Sequence, residues 1–170
     1  MPNSKIRIFI TGNAGSGKTT LSKQVGNSVG IIPTCLDKIV WQPNWVQTPK
    51  SERSEKIATL INNDSWIIDG VSYDVLKAAD VVVFLDYLRI ICFMRIIKRN
   101  WKYLFTSRPE LPPKCPEIKI IKRLIAIVWN FEKLVKPQIL QHINENETKQ
   151  IIYHITNKKE LSAFLNVLQT

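Results

Sequence analysis

The chain has 170 residues, with 24 Lys and Arg against 14 Asp and Glu, a formal charge of +10, and 45% hydrophobic residues. That length suits one domain with a sizeable core, and the hydrophobic content excludes a chain too polar to fold. Cys35, Cys92 and Cys115 are odd in number and lack C-x-x-C spacing, which argues against a zinc site or a disulfide framework and for a reducing compartment.

In chain order, residues 5–11 read as a strand, and a helix begins at Thr19. Between them lies Gly12-Asn13-Ala14-Gly15-Ser16-Gly17-Lys18-Thr19, which fits the phosphate-binding pattern G-x-x-x-x-G-K-[ST]. Glycines at 12, 15 and 17 let the backbone curl around an anion with no side chain in the way. The curled backbone aims N–H groups inward, and the helix that follows adds its positive dipole end. Lys18 offers a cation to the β- and γ-phosphates, and Thr19 a hydroxyl to Mg²⁺; Thr20 completes the nucleotide-binding set. A nucleotide phosphate site, with Thr19 placed to meet Mg²⁺, is what this stretch predicts.

Residues 30–37 read as a short strand ending in Asp37, and 41–45, with two Trp and a Pro, as a loop. A helix is expected over 51–62, with Ile57, Leu60 and Ile61 on one face and Ser51 or Ser54 as its cap. Residues 65–70 and 80–86 are near-continuous apolar runs closed by Asp69-Gly70 and Asp86, as buried parallel strands are. The period turns helical over 89–103, and four prolines in 107–116 stop it. A long helical pattern covers 117–135 and resumes after Pro137 to about 143. A polar turn follows, then a strand over 151–155 and a last helix carrying Leu161, Phe164, Leu165 and Leu168.

Strands alternating with helices behind a phosphate loop predict an α/β fold: a P-loop NTPase three-layer sandwich, with a five-stranded parallel sheet and helices on both faces. The ligand edge is then the strands' C-terminal ends, toward which Asp37, Asp69 and Asp86 project. The whole of 1–170 reads as a single domain, with an acceptor-side segment over about 37–64 and a small lid-like insertion over about 103–117. The most apolar stretch, 81–94, is broken by Asp86 and Arg89, so no membrane span is expected. The first strand begins within a few residues of Met1, leaving no room for a signal peptide, and the expected location is the cytoplasm.

The chain resembles the adenylate-kinase-like P-loop kinases, and among them the small proteins called topology modulation proteins. The resemblance spans nearly the whole length. It rests on the phosphate loop, on 36–45 (Leu-Asp-Lys-Ile-Val-Trp-Gln-Pro-Asn-Trp), on 65–70, on Phe84-Leu85-Asp86, on Arg95 with Arg99, and on Arg108-Pro109 followed by Cys115-Pro116-Glu117. It implies that Asp69 holds magnesium with Thr19, that Arg95 packs on the adenine ring, and that Arg99 touches phosphate and opens the lid, which contains Arg108. The chain departs from true adenylate kinases where Asp69-Gly70 is followed by Val71-Ser72-Tyr73 in place of Phe-Pro-Arg. It also lacks the acceptor-phosphate arginine near Asp37, where Lys38 and Arg53 are the available cations.

The residues expected to act in catalysis are therefore Lys18, Asp37, Asp69, Arg99 and Arg108, with Asp37 binding the acceptor or taking the proton of its hydroxyl. Trp41 and Trp45 wall a pocket for an aromatic base or belong to the core, while His142 and His154 read as structural. The expected function is ATP-dependent phosphoryl transfer to a small-molecule acceptor, with nucleotides and nucleosides among the candidates. Two alternatives stand beside it. One is a nucleotide-dependent regulator of nucleic acid, which the basic, aromatic stretches at 98–102 and 119–123 would suit. The other is an ATPase with no small-molecule acceptor.

Overall fold

The computed structural model describes residues 5–103, 111–116, 121–146 and 149–168. Five parallel strands form the central sheet: β1 (Arg7–Gly12), β2 (Thr34–Cys35), β5 (Trp66–Asp69), β6 (Val81–Leu85) and β7 (Ile151–Ile155). Their order across the sheet is β2-β5-β1-β6-β7, which puts the strand bearing the glycine loop at the centre.

Side chains alternate across a strand, so each strand feeds both layers. Ile8, Ile10, Ile67, Val83 and Leu85 face a core closed by α1 (Lys18–Val29), α5 (Arg89–Tyr103), α6 (Ile121–Leu134) and α8 (Lys158–Val167). Phe9, Ile68, Val82 and Phe84 face the other core, closed by α4 (Tyr73–Ala78) and α7 (Lys136–Asn146), with α3 (Lys50–Ile61) packed at its margin. Burial on both faces is why these strands are apolar throughout. At the base of the sheet, Arg7 grips Asp80 through Nε (2.9 Å) and Nη2 (2.6 Å), tying the starts of β1 and β6 together.

The strand over 151–155 and the helix over 89–103 lie where the sequence predicts them. The second strand does not run over 30–37. Gly30 ends α1 in a left-handed conformation (φ 73°), and pairing shrinks to Thr34–Cys35. Asp37 then opens a single helical turn, α2 (Asp37–Val40). The expected loop at 41–45 is instead a ribbon, β3 (Trp41–Gln42) against β4 (Val46–Gln47), turning through Asn44 and Trp45 at φ 63° and 62°. Neither Ser51 nor Ser54 caps α3, which starts at Lys50 behind Pro49. The sequence reading assigns nothing to α4, whose cap is the Ser72 hydroxyl accepting from the Val75 N–H. Of the lid expected over 103–117, residues 104–110 and 117 lie outside the described residues. Among the described residues, no helix is long and apolar enough to cross a membrane.

Candidate active site

The site gathers where β1, β5 and β2 end. Two of the loop glycines are steric necessities. A Cβ on Gly12 (φ 147°) would stand 2.4 Å from the Leu85 carbonyl oxygen, and one on Gly15 (φ 78°) 2.5 Å from that of Cys92. Neighbouring backbone therefore presses on the loop from β6 and α5. From α6, the Val128 carbonyl accepts a hydrogen bond from Asn13 Nδ2 at 3.0 Å. Gly17, at φ 106°, caps α1 without a side-chain acceptor, so the N–H groups of the first helical turn have no partner four residues back. Asn13 Oδ1 and Ser16 Oγ are buried without hydrogen-bond partners. A loop with orphaned buried polar atoms at a helix N-terminus fits a phosphate chain.

Lys18 Nζ donates to the carbonyls of Gly12 (3.0 Å) and Asn13 (2.9 Å), lying across the loop it belongs to. Desolvation pulls its pKa below the ordinary lysine value, and the charges of Asp37 and then Asp69 oppose that pull. Asp69 is buried at the end of β5, in register with Ile10 of β1 and Cys35 of β2. Its Oδ1 accepts from Thr19 Oγ1 at 3.1 Å and its Oδ2 from Ser22 Oγ at 2.8 Å. Burial pushes the Asp69 carboxyl above the usual range, against hydrogen bonds from Ser22, Cys35 and Thr19 and the charge of Lys18. The Cys35 thiol is itself pushed up to about 12, first by burial and then by the Asp69 charge.

Asp69 and Thr19 offer adjacent hard oxygen donors, which fits a magnesium ion held by one carboxylate, one hydroxyl and phosphate oxygens. Among the described residues, no group of three or more His, Cys, Asp or Glu gathers as a self-sufficient metal site.

α5 brings Arg95 to the loop from the opposite side. Its Nη1 donates to the Ser16 carbonyl at 2.8 Å, and its guanidinium lies 4.4 Å from the centre of the Tyr87 ring. Arg99 follows one turn later, half-buried. Arg108 falls outside the described residues. Asp37 opens α2, half-buried and near enough for its charge to act on Lys18.

Asp86 follows β6 directly but is engaged by Lys136 Nζ (2.8 Å) and His154 Nε2 (2.9 Å), an anchor for α7 and β7. The buried His142 shares a hydrogen bond with Gln150, so both histidines have structural partners. Of the two readings of the tryptophans, Trp41 fits the core one, and Trp45 is half-buried against the same cluster. Trp41 is buried with Leu111 and Cys115, and Trp45 Nε1 donates to the Pro116 carbonyl at 2.9 Å. The two rings meet edge to face at 5.3 Å because the ribbon turns both onto residues 111–116.

A cleft of about 170 Å³ opens beside Asp69, between α1 and the β2–α2 corner. Thr19, Ser22, Thr34, Cys35, Asp69, Lys23 and Lys38 line it. Sequence reasoning missed Ser22 and Cys35. The signal for Ser22 was its place one helical turn after Thr19. Cys35 had none, because only the register of β2 against β5 sets it beside Asp69.

No family model matches the chain, and no curated protein matches it. Solved structures do. A shikimate kinase from Acinetobacter baumannii, in complex with shikimate, aligns with a TM-score of 0.56 at 15% identity over 98% of this chain and 93% of that one. A deoxyadenosine kinase from M. mycoides with bound dATP aligns at 0.54 and 14%, over 96% and 99%. A shikimate kinase from Bacteroides thetaiotaomicron aligns at 0.52 and 17%, over 96% of both chains. At these identities the likeness establishes the α/β fold of P-loop kinases, with its five-stranded parallel sheet flanked by helices.

Proposed function

We propose that the chain is an ATP-dependent P-loop phosphotransferase that moves a γ-phosphoryl group to a small-molecule acceptor. The observation that carries this is the meeting of Thr19, on the first turn behind the glycine loop, with the buried Asp69 of the neighbouring strand. An anion-binding loop alone would serve any phosphate ligand. A loop whose hydroxyl is hydrogen-bonded to a buried carboxylate is built for a phosphate–metal pair. The P-loop kinase fold of the aligned structures supports the same reading.

Residues 12–20 hold the triphosphate through backbone N–H groups. Lys18 leaves its two carbonyls to meet the β- and γ-phosphates. Asp69 and Thr19 would hold magnesium, which would neutralise charge building on the transferring group. Arg95, already at the loop, stacks on the nucleobase, while Arg99 and Arg108 add positive charge from the lid side as it excludes water. Asp37 faces Lys18 from the acceptor side and binds the acceptor or receives the proton of its hydroxyl. We read the chain as one domain, with the acceptor side at 37–64 and a lid at 103–117. The resemblance to topology modulation proteins supplies no chemistry for DNA topology. Three cysteines that are buried and form no disulfide suit a reducing cytoplasm.

The departures on the acceptor side, Val71-Ser72-Tyr73 after Gly70 above all, favour a second reading: an ATPase or nucleotide switch acting on nucleic acid. Calorimetry tests the first. MgATP binds the parent, and Lys18→Ala loses at least about ten-fold in affinity while keeping its fold, since a charged hydrogen bond contributes about 1.5–3 kcal/mol. Equal affinity in a folded variant overturns the phosphate-loop assignment.

A further inference from the structure

The outward face of α5 is apolar where a surface helix is ordinarily polar. Ile90, Met94 and Ile97, spaced i, i+4, i+7, share that face, turned away from the buried Cys92 and Ile96. They are 55%, 65% and 53% exposed, and Trp129 on α6 is 52% exposed. The guanidinium of Arg89, the residue before Ile90, lies 4.3 Å from the centre of the Trp129 ring, so the apolar surface runs on from α5 to α6. Ile125, one turn before Trp129, extends it. Cations border it on both helices. Lys98 stands one turn after Met94, Lys122 one turn before Ile125 and Lys133 one turn after Trp129, all three exposed. Together α5 and α6 hold eight Lys and Arg against the single Glu132, much of the chain's formal charge of +10.

We propose that this face binds the surface of an anionic membrane, with the apolar stripe set into the lipid interface and Lys98, Lys122 and Lys133 at the headgroups. Charge complementarity selects that occupant. A second copy of the chain would bring the same excess of cations against its own. A nucleic acid would meet the lysines but turn phosphates, not apolar surface, toward Ile90, Met94 and Ile97. An anionic bilayer answers both needs, and an indole beside a cation suits the headgroup level. By helical period Arg95, which reaches the glycine loop, leaves α5 on a different side, so the face stands apart from the nucleotide site.

The test is flotation of the full chain with vesicles of phosphatidylglycerol and phosphatidylcholine in equal parts, and with vesicles of phosphatidylcholine alone. Charge by itself draws a cationic chain to the first kind, so the apolar substitutions decide. The parent should bind the anionic vesicles and not the neutral ones. Met94→Gln with Ile97→Gln should weaken that binding about ten-fold or more, while Ile32→Gln, at an apolar residue 91% exposed outside α5 and α6, leaves it unchanged. Lys98→Gln with Lys122→Gln should weaken it too, and flatten its dependence on salt. Circular dichroism and thermal unfolding should match the parent in every variant, since all these side chains are exposed. A parent that does not bind anionic vesicles overturns the proposal, as does binding that Met94→Gln with Ile97→Gln leaves intact. Gel filtration and a labelled duplex test the other occupants. A parent dimer that the same two substitutions turn into monomer, or duplex binding that they weaken about ten-fold, gives the face to a second copy or to nucleic acid and overturns the membrane assignment.

Discussion

Asp69 shows how one side chain comes to organise a site. Parallel pairing sets it between Ile10 and Cys35, burial raises its pKa, and two hydroxyls from one helical turn of α1 take its two oxygens. Its carboxylate matters most where charge develops in the reaction, so Asp69→Asn is expected to cost about 100-fold or more in turnover, and less than about ten-fold in ATP affinity. Steady-state kinetics beside calorimetry check this, and equal turnover would return Asp69 to the role of a turn residue. The glycines separate steric from conformational need. Gly17→Ala meets nothing within 4 Å, so its cost is the strained φ alone, about 1–2 kcal/mol. Gly15→Ala adds a collision with Cys92 backbone and the Ile96 side chain, so it should be the more destabilising in urea and should displace α5 from the loop. The reverse order would contradict the packing described here. These residues were legible because a motif fixes their types and spacing. Ser22 and Cys35 were not, since their bearing on Asp69 arises only from helix period and strand register.

At the scale of elements, the sequence reads well wherever burial is complete and poorly wherever an element is short. The runs at 65–70 and 80–86 announce strands because both their faces are covered. The amphipathic stretch at 89–103 announces a helix because one face is not. α2, α4 and the β3–β4 ribbon are each six residues or fewer per segment and depend on contacts far away in sequence. The ribbon is held by Leu111, Cys115 and Pro116, and the Arg123 guanidinium lies 4.6 Å from the centre of the Trp41 ring. Trp45→Phe removes the indole hydrogen bond to Pro116 while keeping an aromatic ring, at an expected cost of about 1 kcal/mol in local stability. Hydrogen exchange should then quicken at Trp41–Gln47 and not in the central sheet. Unchanged protection of the ribbon would mean that the joint with 111–116 contributes nothing.

For the whole molecule, one strand order places everything. With β1 at the centre, the glycine loop leaves the sheet between β5 and β6, so Asp69 stands on one side and α5, with Arg95 and Arg99, on the other. The formal charge of +10 bears on a different question, because it attracts any polyanion and sets no order between nucleotide and nucleic acid. Only a coupled measurement does that. The most direct is a transfer screen with ATP labelled in its γ-phosphate, against a panel of nucleosides, nucleotides and small metabolites, in the parent and in Lys18→Ala. Label should pass to an acceptor in the parent and to none in the variant, while the non-hydrolysable analogue weakens nucleic-acid binding or leaves it alone. Label that reaches no acceptor, together with an analogue that tightens binding to one nucleic-acid structure, would contradict the account.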